Sequence, residues 1–133
     1  MIRVVIDTNV LASGTFWNGT PSRVLSAWRK RDFQLVVSAE IMEEYQRTLG
    51  KLAVDFPTVS IGLVLETIEL NCEMVNAKAI RGVCKDPDDD KFIAAAVAGG
   101  ADFIVSGDQA LLDVGTYQGV QIMNPSDFLK TIV

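Results

Sequence analysis

Short apolar runs, each too brief to be a helix, alternate along this chain with segments of helical periodicity, and that alternation restricts the possible folds more than any other feature. Residues 3–7, 34–38, 72–75, 103–106 and 120–123 read as strands. Between them, residues 22–31, 39–52, 57–69 and 88–98 repeat their apolar side chains at helical spacing, and residues 125–131 fit a last short helix. Strands separated by helices build βαβ units, whose crossovers make neighbouring strands parallel. The expected fold is α/β, with three layers (α/β/α) around a mostly parallel, five-stranded sheet.

The punctuation agrees with the periodicity. Asp55-Phe56-Pro57 interrupts a helical stretch, because a proline pushes the residue before it out of helical conformation. Asn124 and Pro125 suit the cap and first position of the last helix, and Gly99-Gly100 suits the end of the helix before Phe103. A chain of 133 residues, 49% of them hydrophobic, is long enough for one core and too short for two ordinary domains. Residues 1–133 are therefore expected to form a single domain. No apolar run reaches the ~18 residues that span a bilayer, and a strand starting at residue 2 or 3 leaves no room for a signal peptide. The expectation is a cytoplasmic protein without a membrane partner.

The chain contains no histidine, which removes Ser-His-Asp, Cys-His and His-ligated zinc chemistry together. Cys72 and Cys84 lack a partner at CxxC spacing and read as buried thiols without a function. A net charge of −5 suits poorly a module that grips a duplex by neutralising phosphates. Bound cations would offset that charge locally, and a cation-loaded acidic pocket can approach a phosphate.

Acidic residues stand where the strands stop. Val4-Val5-Ile6 ends in Asp7, Phe103-Ile104-Val105 runs through Ser106-Gly107 into Asp108, and Asp86-Pro87-Asp88-Asp89-Asp90 opens an apolar-faced helix. In an open α/β sheet the carboxyl ends of neighbouring strands share one crevice, and carboxylates gathered there suit a hard divalent cation. Helical geometry sorts the adjacent acids, since each residue turns about 100° around the axis. In the helix after Ser38, Glu44 lies nearest the stripe formed by Ile41, Met42, Tyr45, Leu49 and Leu52. In the helix of residues 88–98, Asp89 falls on the buried face with Phe92, Ile93, Ala96 and Val97, whereas Asp88 and Asp90 turn to either side. Each acid also has a bland reading as a cap or as a complement to a helix dipole. Convergence on one sheet edge is what would distinguish ligands from caps.

With these blocks in view, the chain resembles the PIN domain family, a nuclease fold of Rossmann-like topology found in prokaryotic ribonuclease toxins and in RNA-processing factors. The matching stretches are Val5-Ile6-Asp7-Thr8-Asn9-Val10-Leu11, Val37-Ser38 followed by Glu44 and Leu49, residues 86–96, and residues 101–108, in family order. The resemblance implies four metal-binding, catalytic acids at Asp7, Glu44, Asp89 and Asp108. It places a supporting polar pair at Asn9 and Ser106. Asp90 directly follows Asp89, which leaves the third acid open by one residue, and Asp113 is a candidate to share the fourth role.

The activity so implied is hydrolysis of RNA phosphodiester bonds with one or two Mg2+ or Mn2+ ions as cofactor. The resemblance further implies a toxin-type (VapC-like) member with a small antitoxin protein as partner, and a homodimer. A nuclease of RNA processing without an antitoxin, and an inactive binding module, are the alternatives. Lys85 and Lys91 bracket the acidic stretch as candidate RNA contacts, and Phe16-Trp17-Asn18-Gly19 reads either as a mobile loop able to stack on unpaired bases or as loop aromatics folded onto the body or onto a second subunit. A phosphate-accepting receiver domain is disfavoured, since residues 120–124 offer no lysine after the last strand. Phosphatases that begin with an Asp-x-Asp strand end are disfavoured too, since Asn9 takes the second acid's place.

Overall fold

The computed structural model describes residues 1–133. Strands β1 (Arg3–Ile6), β2 (Gln34–Ser38), β3 (Cys72–Val75) and β4 (Phe103–Val105) pair in parallel with one another in the spatial order β3-β2-β1-β4. A two-residue strand, β5 (Thr116–Tyr117), runs antiparallel to β6 (Val120–Met123), and β6 lies parallel to β4 at the far side. The sheet thus has six strands where five were expected. The addition is a tight hairpin whose turn residues Gln118 and Gly119 both have positive φ, 47° and 82°, the geometry of a two-residue hairpin loop. Two residues are too few to show a period.

Val4, Val5 and Ile6 in β1 and Leu35, Val36 and Val37 in β2 are almost entirely buried. Helices cover both faces of the sheet, so these strands are apolar on both sides and show no alternation. The chain leaves β1 towards β2 and β3, then returns to the other side of β1 to form β4 and β6. Strand order therefore reverses between β1 and β4, the place where open α/β sheets leave a crevice at their carboxyl ends.

The helices are α1 (Thr8–Phe16), α2 (Thr20–Arg29), α3 (Ala39–Asp55), α4 (Ile61–Asn71), α5 (Asp90–Ala98), α6 (Gln109–Leu112) and α7 (Pro125–Ile132). The break at Asp55-Phe56-Pro57, the Asn124 cap and the Gly99-Gly100 ending all fall where the sequence placed them. Helix α1 is new. Its sequence carries Thr8, Ser13, Gly14 and Thr15, weak helix formers whose preference is overridden by burial of Val10, Leu11 and Ala12 against the core. Of the two readings of the Phe16-Trp17 segment, the contacts match aromatics folded onto the body: Phe16 ends α1, and Trp17, still half exposed, meets the Phe56 ring edge-on at 5.4 Å. No helix is long and apolar enough to cross a membrane.

Candidate active site: an acidic pocket at the carboxyl edge of the sheet

The last residues of β1 and β4 place the first acids. The Asp7 amide donates to the Val105 carbonyl at 3.0 Å, extending the ladder one residue beyond β1. The Asp7 carboxylate does two things at once: Oδ1 accepts from the Val10 amide at 2.8 Å, capping α1, and Oδ2 accepts from the Ser106 hydroxyl. Ser106 Oγ in turn accepts from the Asp108 amide at 2.9 Å, and Asp108 Oδ1 caps α6 through the Ala110 amide at 3.1 Å. The capping reading of both acids is therefore correct, and it does not compete with a site role. The caps hold the carboxylates at the crevice.

Helix α3 brings in Glu44. Ser38 caps that helix, and the hydroxyl of fully buried Tyr45 donates to the Ile6 carbonyl at the end of β1. That bond pins α3 against β1 and leaves Glu44, the residue before Tyr45, facing Asp7. Glu44 Oε2 accepts from the Thr8 hydroxyl, and Oε1 lies 2.6 Å from Lys91 Nζ.

The acidic stretch enters as one turn of 3-10 helix, Pro87–Asp89, ahead of α5. Asp86 caps the turn by accepting from the Asp88 amide at 3.0 Å. Asp89 makes no capping bond, and its Oδ2 is buried without a hydrogen-bond partner. Asp90 points elsewhere: it accepts from the Cys84 amide at 2.8 Å and the Gly82 amide at 3.0 Å, tying down the preceding loop. These bonds place Asp90 away from the pocket, so of the two adjacent acids Asp89 is the one at the site.

A depression of about 220 Å³ is lined by Asp7, Thr8, Asn9, Glu44, Thr48, Asp86, Asp88, Asp89, Phe92 and Asp108. The four acids named from sequence all border it, and so does Asn9. Ser106 lies just beneath, as a support for Asp7. Asp113 is not part of the lining; it is exposed and accepts from the Gln109 side chain at 2.6 Å. Lys85 is exposed and outside the lining, while Lys91 is held by Glu44 and Asp88. Asp86, Asp88, Thr8 and Thr48 were missed as pocket residues. Thr8 and Thr48 have a visible signal: Thr8 adjoins Asp7, and Thr48 stands one helical turn beyond Glu44 on the same face. Of four larger depressions, those at Met1, Trp28 and Cys72, between α2 and α7, and beside Pro21 and Pro125 hold at most one acid each, and a fourth, at Gly82 and Pro87, gathers Glu40, Asp88 and Asp90 beside Arg81 and Lys91.

Burial pushes the Asp7 carboxyl up to about 6, against the pull of its Ser106 and Val10 bonds, with Asp108 and Glu44 adding repulsion. Asp89 is raised by burial and then by the negative charge of Asp108, Asp86 and Asp7. Asp108 moves the opposite way, lowered by its hydrogen bond with the Asp89 carboxyl group and by the Ala110 amide. Both cysteines are free. Cys84 is buried and its thiol is pushed up to about 12, by burial first and Asp90 next, which leaves it unreactive. Cys72 is half-buried rather than buried.

A buried carboxylate oxygen without a partner is costly, and the donors around it are all hard oxygens of the kind that Mg2+ or Mn2+ accepts. By that measure the residues fit a hard divalent cation. No three Asp, Glu, Cys or His groups stand close enough to form a ready-made cage. An ion of this kind keeps several waters and needs only a few carboxylates.

A mostly parallel α/β sheet with an acidic pocket at its switch point defines the structural class of this chain. Within that class the chain belongs to the PIN domain family, whose model matches residues 3–110. PIN domains are generally nucleases, and family nucleases typically use divalent metals. No curated protein matches the chain.

Proposed function

We propose that this protein is an Mg2+- or Mn2+-dependent endoribonuclease, with Asp7, Glu44, Asp89 and Asp108 as its catalytic carboxylates. The observation that carries the reading is the arrival of four acids, from four separate segments of chain, at one small pocket where one buried oxygen has no partner. Asp7, Asp89 and Asp108 would hold the ion, with Glu44 joining them. A bound hard cation lowers the pKa of water, polarises a phosphoryl oxygen and stabilises the departing alkoxide. The chain's own part is orientation. Ser106 fixes Asp7, Asp108 is held by the Ala110 amide on its carboxylate and by its own amide donating to Ser106 Oγ, and Thr8 holds Glu44. Asn9, exposed at the rim, is placed to meet the substrate.

The substrate needs a grip outside this negative pocket. A surface depression that shares Asn9 and Asp108 with the pocket extends to Pro21 and Pro125, at the starts of α2 and α7. Between those two helices a further depression is lined by Arg23, Lys30 and Lys130, with Asp32 as its one acidic side chain. None of these three cations is in an ion pair. We assign this track to the RNA backbone leaving the pocket. Arg23→Glu combined with Lys130→Glu should weaken binding of single-stranded RNA at least about tenfold and reduce the salt slope by about 2. Fluorescence anisotropy in Ca2+ across a salt series reads both quantities. An unchanged slope would remove the track.

Incubation of single-stranded and structured RNA with Mg2+, Mn2+ or EDTA tests the activity itself, and cleavage insensitive to EDTA would sink the proposal. We also propose that the protein is the toxin of a toxin–antitoxin pair, acting as a homodimer in the cytoplasm with a small antitoxin covering the pocket. An adjacent short open reading frame whose product suppresses cleavage separates this from an RNA-processing nuclease. Sedimentation equilibrium reports the dimer.

A further inference from the structure

We propose that Lys91 is a resident counter-cation of the acidic pocket: it clamps Glu44 while the pocket is free of metal and releases Glu44 to a divalent ion when one binds. The inference rests on the reading of the pocket as a metal site, and it concerns a residue that reading leaves without a role.

Lys91 is half-buried, with its side chain only 8% exposed. Its ammonium touches three groups, all in the pocket lining. Glu44 Oε1 lies at 2.6 Å, Asp88 Oδ1 at 3.4 Å, and the centre of the Phe92 ring at 5.9 Å. The other Glu44 oxygen is taken by the Thr8 hydroxyl. Every oxygen that Glu44 could offer an ion therefore already has a partner, and one partner is a full positive charge.

Two consequences follow from that geometry. A lysine ammonium is a compact charge on a flexible stem, so it can neutralise part of the pocket without fixing a permanent bridge. A divalent ion drawn to Glu44 would meet a like charge within a few ångströms, and that repulsion disfavours binding there while the ammonium stays. Ion and ammonium therefore compete for the same carboxylate. Glu44 borders the same pocket as Asp7 and Asp89, but its Oε1 is held by Lys91.

The test is calorimetric titration of RNA-free protein with Mn2+, comparing wild type, Lys91→Met and Lys91→Arg. The clamp predicts about five- to tenfold tighter Mn2+ binding in Lys91→Met, and near-wild-type affinity in Lys91→Arg, which keeps the charge. Metal-free Lys91→Met should also melt at a lower temperature than wild type, since Glu44 loses its counter-charge, and saturating Mn2+ should erase most of that gap. Lys91→Gln supplies a neutral side chain that still donates to Glu44, should the Met variant fold poorly, and it too should bind Mn2+ more tightly. Affinity equal to or weaker than wild type in both neutral variants overturns the clamp, because a residue that merely supports Glu44 as a ligand would weaken binding when removed. If wild type takes up no Mn2+ at all, the metal reading itself fails and the clamp falls with it.

Discussion

Asp7→Asn is expected to reduce metal-dependent RNA cleavage by about 10² to 10⁴-fold while leaving the fold intact. An ionised carboxylate beside a bound cation is worth several kcal/mol of charge stabilisation, and each 1.36 kcal/mol is a decade in rate. Asparagine is close to isosteric and can keep both local bonds. Its Oδ1 can accept from the Val10 amide, and its Nδ2 can donate to Ser106 Oγ once that hydroxyl rotates. The cap on α1 survives, so loss of activity reports charge and not collapse. Initial cleavage rates with Mn2+, alongside far-UV circular dichroism, measure the two separately. Full activity in a folded Asp7→Asn protein would remove this residue from the site.

The same substitution should make the metal-free protein more stable, and by an amount set by pH. The Asp7 carboxyl titrates near 6 in the folded chain against 3.8 for an unperturbed group. The folded state therefore holds its proton more tightly than the unfolded state. Its contribution is fully favourable below about pH 4 and is lost as pH rises through 6, because ionised Asp7 is buried among Asp108 and Glu44. A shift of this size corresponds to roughly 3 kcal/mol of differential stability above pH 7. Asp89, raised for the same reasons, adds a loss in the same direction. Asn cannot ionise. Metal-free Asp7→Asn should thus match wild type near pH 4 and melt on the order of 10 °C higher at pH 8. Added Mg2+ or Mn2+ should shrink that advantage by binding wild type in preference. A wild-type protein that out-melts the variant at pH 8 without metal would mean that the pocket carries no such repulsion.

How far the sequence alone reaches depends on which physical rule governs each feature. Strands β1, β2 and β4 are legible because short apolar runs buried on both faces need no neighbours to be recognised, and β3 and β6 also fall where the sequence places them, although β6 alternates between buried and exposed residues. Glu44 is legible because α3 is regular from its Ser38 cap, so a 100° step per residue holds along it. Asp89 was placed by the same step, but residues 87–89 form a tighter 3-10 turn, in which the angular phase differs. That Asp89 lines the pocket while Asp90 turns to the Gly82 and Cys84 amides is not readable from spacing. Helix α1 was illegible because its hydroxyl residues and Gly14 argue locally against the helix that packing imposes. The pairing of Lys91 with Glu44 was illegible for another reason: the two residues lie on different helices, and no spacing rule links them.

The central claim is that the pocket at the ends of β1 and β4 is a cation site, and crystals soaked with Mn2+ address it without recourse to any substrate. An anomalous difference map should show a peak within coordinating distance of Asp7, Asp89 and Asp108 carboxylate oxygens, with Lys91 turned away from Glu44. A map with no peak in that pocket at millimolar Mn2+, or with its peaks only at surface acids such as Asp113 or Asp127, would contradict the account.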